Sequence, residues 1–511
     1  MLLLSTIAEL RSHLANKRKQ TIGLVPTMGA LHAGHVSLIK RAIAQNELVV
    51  VSIFVNPLQF TPTEDLEQYP RQLERDCQLC QQLGVDVVFA PTGEEMGIAG
   101  DAASQTSTTT VVPPAAMTSV LCGKFRPGHF QGVATIVTKL FNIVQPDRAY
   151  FGEKDAQQLA IIRRLVKDLN IPVEIKACPI VRESSGLALS SRNQYLTPTE
   201  KERSAVIYRS LQQAQQAFQA GEKKAQRLLD IVKQELASVA EVEIQYIELV
   251  HPETLEFLNE IETKGLLAIA CYVGSTRLID NIVLYQRQPI IAIDGPAGAG
   301  KSTVTRKVAQ ELGLLYLDTG AMYRAVTWLV MQSGMAVDNE EAVASIVQGV
   351  NIDLVPANSS NLPDSVYING KEVTQAIRTP EVTANVSTIA AQATVRRELV
   401  KIQQRWGERG GVIAEGRDIG TNVFPHAELK IFLTASAAER ARRRLQDLRE
   451  RGHQDIELEQ LIQDIQRRDE QDSNRSIAPL QKAADAIEII TDGLTVKQVT
   501  AKIMELYAQL K

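Results

Sequence analysis

The sequence predicts an α/β protein with parallel sheets, built as two successive units, the first of which ends in a smaller α+β subdomain. Three observations lead there. Short apolar runs of strand length alternate with helical patterns from residue 21 to residue 169. After Asn193 the texture changes to two long helical patterns. At Ile290 a new apolar run leads at once into a glycine-rich loop and a helical pattern. The chain has 511 residues, which is long for one core when a domain averages about 150.

In the first unit, residues 21–25 form a β-type apolar run, followed by Pro26-Thr27-Met28-Gly29 and a helical pattern over 34–44. A second apolar strand at 48–55, a turn at Asn56-Pro57, an amphipathic helix over 73–83 before Gly84 and a strand at 85–90 continue the alternation. Residues 97–110, rich in Ala, Ser and Thr, read as a surface loop. The pattern resumes at 133–144 and 148–151 and with a helix over 156–169. Helices over 198–220 and 222–239, then strands at 243–250 and 266–273, make the subdomain. Residues 286–288 span roughly 10 Å at about 3.5 Å per residue, too little for a flexible tether. Beyond them, strands at 290–293, 412–414, 429–433 and 486–490 again mix with helices. The expected domains are 1–192, 193–285 and 289–511.

Hydrophobic residues make up 44% and charged residues 22%, which excludes disordered and fibrous classes. Lys plus Arg is 55 against 59 Asp plus Glu, so no basic field exists to hold nucleic acid. No run approaches 18 apolar residues, so no membrane partner is expected. Met1-Leu2-Leu3-Leu4 is interrupted by Glu9 and Arg11 and reads as no targeting segment. Five scattered cysteines suit reduced thiols and a cytoplasmic location, with Cys77 and Cys80 ordinary helix residues.

His32-Ala33-Gly34-His35 lies between a strand and a helix, where open α/β sheets bind ligands. Two imidazoles three residues apart at a helix start can both donate to phosphate oxygens, and Gly34 is expected to clear room for an adenine. Further motifs follow at strand ends: Asn56-Pro57-Leu58-Gln59, Arg126-Pro127-Gly128-His129, Gly152-Glu153-Lys154-Asp155 with Gln157-Gln158, and Leu189-Ser190-Ser191-Arg192-Asn193. With these in order, residues 1–284 resemble the pantothenate synthetase (pantoate–β-alanine ligase) family, Rossmann-like H-x-G-H nucleotidyltransferase relatives.

The resemblance implies two steps. A pantoate carboxylate attacks the α-phosphorus of ATP and releases diphosphate; β-alanine then attacks the acyl-adenylate, giving pantothenate and AMP. It implies ATP at Met28, His32, His35, Gly152, Lys154, Asp155, Ser190, Ser191 and Arg192, with His32, His35, Lys154 and Arg192 catalytic. Gln59, His129 and Gln158 would take pantoate or β-alanine. No protein nucleophile is required, so the work is positioning and charge stabilisation. Leu189 stands where the family usually has Met, a volume-conserving change.

Gly295-Pro296-Ala297-Gly298-Ala299-Gly300-Lys301-Ser302 fits G-x-x-x-x-G-K-[ST] between a strand and a helical run over 303–312. Its amides can wrap phosphates, Lys301 adds charge and Ser302 offers a hydroxyl to Mg²⁺. Gly295, Gly298, Gly300, Lys301, Ser302 and Thr303 are the expected ATP contacts. Asp318-Thr319-Gly320-Ala321-Met322-Tyr323-Arg324, Ala414-Glu415-Gly416-Arg417-Asp418 and the run from Arg468 to Arg475 narrow the reading. Residues from 289 onward resemble bacterial cytidylate kinases, which are P-loop nucleoside-monophosphate kinases.

That resemblance implies CMP at Tyr323, Arg324, Ser387, Arg396, Arg417, Asp418, Arg468, Asp472 and Arg475, with Lys301 and Arg417 catalytic. Phosphoryl transfer between two nucleotides crowds negative charge and calls for such arginines. Asp418 can accept from the N4 amino group of cytosine but repels the O4 of uracil. Ala393 replaces a proline common in the family. Arg440, Arg442, Arg443, Arg444, Arg449 and Arg451 fit a helical lid, and equally a solvated helix face.

The joint expectation is a two-activity enzyme using Mg²⁺ with ATP at both sites. Its partners would be ATP, pantoate, β-alanine and CMP or dCMP, with self-association through the first half left open. Two alternatives remain: a nucleotide-sensing regulator with one half catalytically silent, and a cytidylyltransferase-like first half that keeps the nucleotide in its product.

Overall fold

Six short strands in the first 178 residues form one parallel sheet whose inner strands Ile22–Thr27, Leu48–Ile53 and Val87–Phe89 are apolar and buried, while its edges are Leu2–Leu4, largely exposed, and Glu174–Cys178, which carries Glu174 and Lys176 and, like Leu2–Leu4, is not expected from the sequence pattern. The computed structural model describes residues 1–60, 66, 69–98, 108–355, 365–450, 457–473 and 478–510. The chain divides into two units, Met1–Gln286 and Arg287–Lys511. Most of the surface loop expected at 97–110 lies outside the described residues.

In chain order the first unit runs β1 (Leu2–Leu4), α1 (Ile7–Ala15), β2 (Ile22–Thr27), α2 (Ala33–Gln45), β3 (Leu48–Ile53), α3 (Leu73–Leu83), β4 (Val87–Phe89), two short turns α4 (Ala115–Thr118) and α5 (Leu121–Phe125), α6 (His129–Val144), β5 (Arg148–Gly152), α7 (Ala156–Asp168) and β6 (Glu174–Cys178). The sheet order is β1-β4-β3-β2-β5-β6, every neighbour parallel. Strand alternation splits the core. Leu24 and Val50 pack with Leu10, Leu14, Val133 and Leu140 on one face, while Val25, Val49 and Val51 pack with Ile39, Ala42 and Cys80 on the other.

The order reverses between β2 and β5, so β3 and β4 lie to one side and β6 to the other. The two central strands pair only at Gly23 with Arg148 and Leu24 with Ala149, whereas β2 and β3 pair over six residues. Their carboxyl ends therefore diverge. The crevice this opens is where parallel sheets place ligands.

The subdomain is α8 (Pro198–Gln219), α9 (Ala225–Leu236) and an antiparallel sheet β7 (Val242–Val250), β8 (Lys264–Val273) and β9 (Thr276–Tyr285). A Thr197–Glu200 capping box and Pro198 start α8. The helix expected over 222–239 is shorter because Lys224 bridges to Glu260 instead of entering it. Strand β9 lies beyond those the sequence pattern showed.

The second unit contains β10 (Ile291–Asp294), α10 (Lys301–Leu312), β11 (Leu315–Asp318), α11 (Thr319–Gln332), α12 (Glu340–Val347), a small antiparallel sheet β12 (Ile352–Val355), β13 (Ser365–Ile368) and β14 (Lys371–Glu372), α13 (Pro380–Ala391), α14 (Ala393–Glu408), β15 (Val412–Gly416), β16 (Leu429–Thr434), α15 (Ala437–Glu450), α16 (Leu458–Ser473), β17 (Ile487–Ile490) and α17 (Val496–Ala508). Its main sheet, β11-β15-β10-β16-β17, is parallel throughout with β10 at the centre. Ile291 and Ile293 pack against α10 and α17, and Ala292 against the opposite layer built from α11 and α14.

Among the described residues all five cysteines are unpaired, and no helix is long and apolar enough to cross a membrane.

Candidate active sites

The crevice above β2 and β5 holds a cavity of about 260 Å³. Its wall includes Met28, His32, His35, Gln59, His129, Gly152, Lys154, Asp155, Gln158, Ser190, Ser191 and Arg192, all twelve positions expected in the first unit, and Leu189 beside them.

His32 and His35 serve the helix as well as the cavity. Nδ1 of His32, the N-cap of α2, accepts from the Gly34 N–H at 3.1 Å, and Nδ1 of His35 accepts from the His32 N–H at a longer 3.4 Å. Two donors that a helix start leaves unpaired are thereby met. With Nδ1 accepting, each neutral ring keeps its proton on Nε2. Burial, reinforced by Lys154 near His32 and by His32 near His35, lowers the pKa of His32 to about 4 and of His35 to about 3. The site thus offers two neutral imidazoles at a helix N-terminus beside a lysine, a donor set suited to a polyanion.

Gly34 has a second neighbour besides the cavity. A Cβ at this position would stand 2.8 Å from Cε1 and 2.9 Å from Nδ1 of His32. The glycine makes room for the capping imidazole and also lines the cavity.

Gln59 and His129 are locked together. Nδ1 of His129 donates to the Gln59 carbonyl at 2.6 Å and Nε2 accepts from Nη1 of Arg126 at 3.0 Å, since a carbonyl only accepts and a guanidinium only donates. The Gln59 amide donates to Sδ of Met28 and accepts from Asn56 at 3.2 Å.

Several supporting residues were not singled out from sequence. Asp76 of α3, buried, accepts from the N–H groups of Ala30 and Leu31 at 2.8 Å each and so shapes the turn into His32. An acid four positions before buried Cys80, on the inward stripe of an amphipathic helix, was the available signal. Strand β9 supplies two more. Asn281 Nδ2 donates to the carbonyls of Glu153 and Lys154 at 3.0 Å each, and Asp280 takes Arg182 in a bidentate pair at 2.5 and 2.9 Å. Arg182 also donates to the Gly186 carbonyl and stacks on Tyr208, which ties the strand to the chain leading into Ser190. Ser190 Oγ accepts from the Arg192 N–H and caps the following turn.

In the second unit the glycine-rich loop joins β10 to α10. Gly295 has φ +148° and a Cβ there would lie 1.9 Å from the Leu433 carbonyl oxygen, so no other residue fits. Gly298 and Gly300 also have positive φ, and Thr303 is exposed on the first turn of α10. Lys301 Nζ donates to the carbonyls of Gly295 and Pro296 at 2.6 and 2.8 Å. Loss of hydration, with Arg417 nearby, lowers its pKa to about 8. Ser302 Oγ donates to Glu415 at 2.6 Å, as does Tyr316 at 2.7 Å. Asp294 accepts from the N–H groups of Ile419 and Gly420 at 2.7 Å each, yet burial raises its pKa to about 7. Burial, with Asp318 nearby, raises Glu415 too. Glu415 lies within the Ala414–Asp418 motif, and the sequence alone gives it no task.

Of the expected CMP residues, Arg396 pairs with Asp418 and lies 5.6 Å over the Tyr323 ring, and Arg417 donates to buried Asp472. Arg324 donates to Asp318 at 3.3 Å. Ser387 is exposed on α13 and makes no hydrogen bond with these groups. Arg468 lies on α16 with its side chain outside the described residues, and Arg475 lies outside them altogether. The arginine-rich helix α15 divides. Arg440 is buried, paired with Asp469 and bonded to the Ala297 carbonyl of the phosphate loop, and Arg443 donates to Thr491, whereas Arg442, Arg444 and Arg449 are exposed. Arg451 is outside the described residues.

Residues 2–283 match the family model described as pantoate-beta-alanine ligase, and residues 291–509 match the one described as cytidylate kinase. A relative from Trichormus variabilis named bifunctional pantoate ligase/cytidylate kinase is 59% identical, over 100% of this chain and 99% of that one. The chain belongs to the bifunctional pantoate ligase/cytidylate kinase family. Both of its halves are ATP-using. A second bifunctional ligase/kinase, from Synechocystis sp., is 60% identical over 98% of each chain. The ligase unit is also similar to a crystal structure of pantothenate synthetase from Thermus thermophilus, with a TM-score of 0.52 and 46% identity, covering 55% of this chain and 99% of that one.

Proposed function

We propose that residues 1–192, supported by the 193–285 subdomain, condense pantoate with β-alanine, and that residues 289–511 phosphorylate CMP or dCMP. The observation that carries the first half is the convergence of two neutral imidazoles, Lys154, Arg192, Gln59 and Gln158 on one cavity.

In the ligase, Nε2–H of His32 and His35, Lys154 and the N-terminus of α2 bind the triphosphate. A pantoate carboxylate oxygen forms a bond to the α-phosphorus as the bond to diphosphate breaks, and these donors take up the charge on the departing group. The β-alanine nitrogen then bonds to the acyl carbon, AMP leaves with the electron pair of the broken C–O bond, and the ammonium group gives up two of its three protons, the third remaining on the amide nitrogen. Gln59 and Gln158 carry both donor and acceptor, as the hydroxyl and carboxylate groups of pantoate require. His129 and Arg126 hold Gln59.

In the kinase, Lys301 turns from the carbonyls of Gly295 and Pro296 to the β and γ phosphates, and a CMP phosphate oxygen attacks the γ-phosphorus as ADP leaves. Arg324 and Arg417 offset the crowded charge. Mg²⁺ would fit beside Ser302, whose hydroxyl touches the buried carboxylate of Glu415; Glu415 Oε2 is buried without a hydrogen-bond partner. It would neutralise phosphate charge there. Among the described residues of either unit no group of three metal-ligating side chains occurs, and at both sites Mg²⁺ would arrive on ATP itself. Five unpaired thiols support a cytoplasmic location, and self-association through the ligase unit belongs to the same proposal.

The test is product analysis on the intact chain. AMP and diphosphate should appear only with pantoate, and CDP and ADP only with CMP. ATP binding without one pair of products would make that half a sensor, and nucleotide retained in the first product would make it a cytidylyltransferase.

A further inference from the structure

Asp418 meets its arginine differently from two other aspartates of the chain. Arg182 takes Asp280 with Nη1 and Nη2 on separate carboxylate oxygens, and Arg440 takes Asp469 in the same way. Arg396, buried against Asp418, reaches only Oδ2, from Nη2 at 2.5 Å. Its Nη1 donates to the Ala390 carbonyl at 3.3 Å, and its Nε–H, buried and adjacent to Nη2 on the guanidinium, has no partner among the described residues. A change in the orientation of the carboxylate would carry Oδ1 to that orphaned donor and complete the two-bond fork that guanidinium and carboxylate favour.

Asn422 stands against that change. Its Nδ2 donates to the same Oδ2 at 3.0 Å. The two residues lie four apart on the turn Ile419–Val423, which is wound wider than an α-helix: the N–H groups of Asn422 and Val423 both bond to the Asp418 carbonyl, at 2.9 and 3.1 Å, and that of Phe424 bonds to the Ile419 carbonyl. Asp294 pins the same turn through the N–H groups of Ile419 and Gly420. A primary amide brings a directed hydrogen and no charge, so it draws Oδ2 toward the turn without replacing the guanidinium as ionic partner.

We propose that Asn422 is a positioning residue for base choice: by holding Oδ2 it keeps Asp418 out of the two-bond pair with Arg396 and reserves Oδ1 for the N4 amino group of cytosine. The inference rests on the kinase reading and adds the residue that keeps the base-reading carboxylate turned. Without the amide, Oδ1 goes to Nε of Arg396, cytosine loses its acceptor and uracil loses the repulsion at O4.

The test compares CMP with UMP as phosphoryl acceptors for the intact chain. In Asn422→Leu, close in volume but without a donor, the CMP-over-UMP ratio of kcat/KM should fall roughly three- to tenfold, the scale of one neutral hydrogen bond. The loss should lie in KM for CMP, with kcat/KM for UMP held or raised, and that turnover of UMP verifies a folded kinase unit. Asn422→His, whose Nδ1–H can stand where the amide hydrogen stands, should restore most of the ratio. In a chain already carrying Asp418→Asn, Asn422→Leu should leave the ratio unchanged, because the residue acts through that carboxylate. A ratio unmoved by Asn422→Leu alone, equal loss toward both nucleotides, or a further fall in the Asp418→Asn background overturns the role of Asn422 and leaves the kinase reading intact. Absence of CDP formation from CMP in the unaltered chain overturns the kinase reading and this role with it.

Discussion

Oδ2 of Asp418 accepts from both Nη2 of Arg396, at 2.5 Å, and Nδ2 of Asn422, at 3.0 Å, which leaves Oδ1 with no donor among the described residues. One carboxylate oxygen orients the buried arginine, and the proposed cytosine contact falls to the other. Asp418→Asn should therefore lower the CMP-over-UMP ratio of kcat/KM by about 5- to 150-fold, the equivalent of about 1–3 kcal/mol for one base-edge contact. Absolute rates fall too, because Arg396 loses its ionic partner, so the ratio is the quantity to read. Equal loss toward both nucleotides would make Asp418 a partner of Arg396 and nothing more.

The two active sites are built from separate residues, and single substitutions should separate the activities. His35→Ala removes an Nε2–H donor and should cost about 10²–10³ in ligase kcat. The same preparation should form CDP at nearly the original rate. Lys301→Ala should do the reverse. Parallel loss of AMP and CDP formation in either variant would contradict two independent sites.

The neutral histidines give the ligase unit a pH signature. His32 and His35 titrate at about 4 and 3 when folded, against 6.5 in an unfolded chain. Between those values the unfolded state binds more protons, so stability falls as pH drops from 6.5 toward 4 and is fully present above that window. Phosphate oxygens against the rings raise both pKa values. ATP binding to a Lys301→Ala chain should then take up protons, more at pH 6 than at pH 7.5, seen as a binding enthalpy that varies with buffer ionisation. A buffer-independent enthalpy at pH 6 would place the phosphates away from the imidazoles.

Asn281 spans two backbone carbonyls at the turn that carries Lys154. Asn281→Ala leaves both carbonyls without that donor, at about 1–3 kcal/mol where they are shielded from water. Ligase kcat/KM should fall on the order of tenfold and kinase activity should not change. If thermal stability drops while kcat/KM holds, Asn281 supports the fold and not the position of Lys154.

Much of this is legible in the sequence. The strand, loop, helix order around Met28 and His35, and the glycine loop before Lys301, encode their own geometry: local periodicity decides which face is buried, and a parallel α/β sheet puts such loops at strand ends. The gathering of twelve scattered residues on one cavity follows from that rule together with family resemblance. The contact of Gly34 with the His32 ring does not follow, because what else fills the space above a glycine depends on a rotamer two residues away.

By itself, then, the sequence determined the two α/β units, the loops that present charge to phosphate and the residue types those loops carry, since these depend on spacing within one strand–helix step. Only the tertiary structure decided which buried charges meet. Asp76 reaches the turn before His32 from 45 residues on, Asn281 arrives from a strand more than a hundred residues beyond Lys154, and Asp418 meets Arg396 of a preceding helix. Such pairings depend on the register and side-chain orientation of segments far apart in the chain. Hydrophobic periodicity reports that a face is buried but carries no record of the polar group it is buried against.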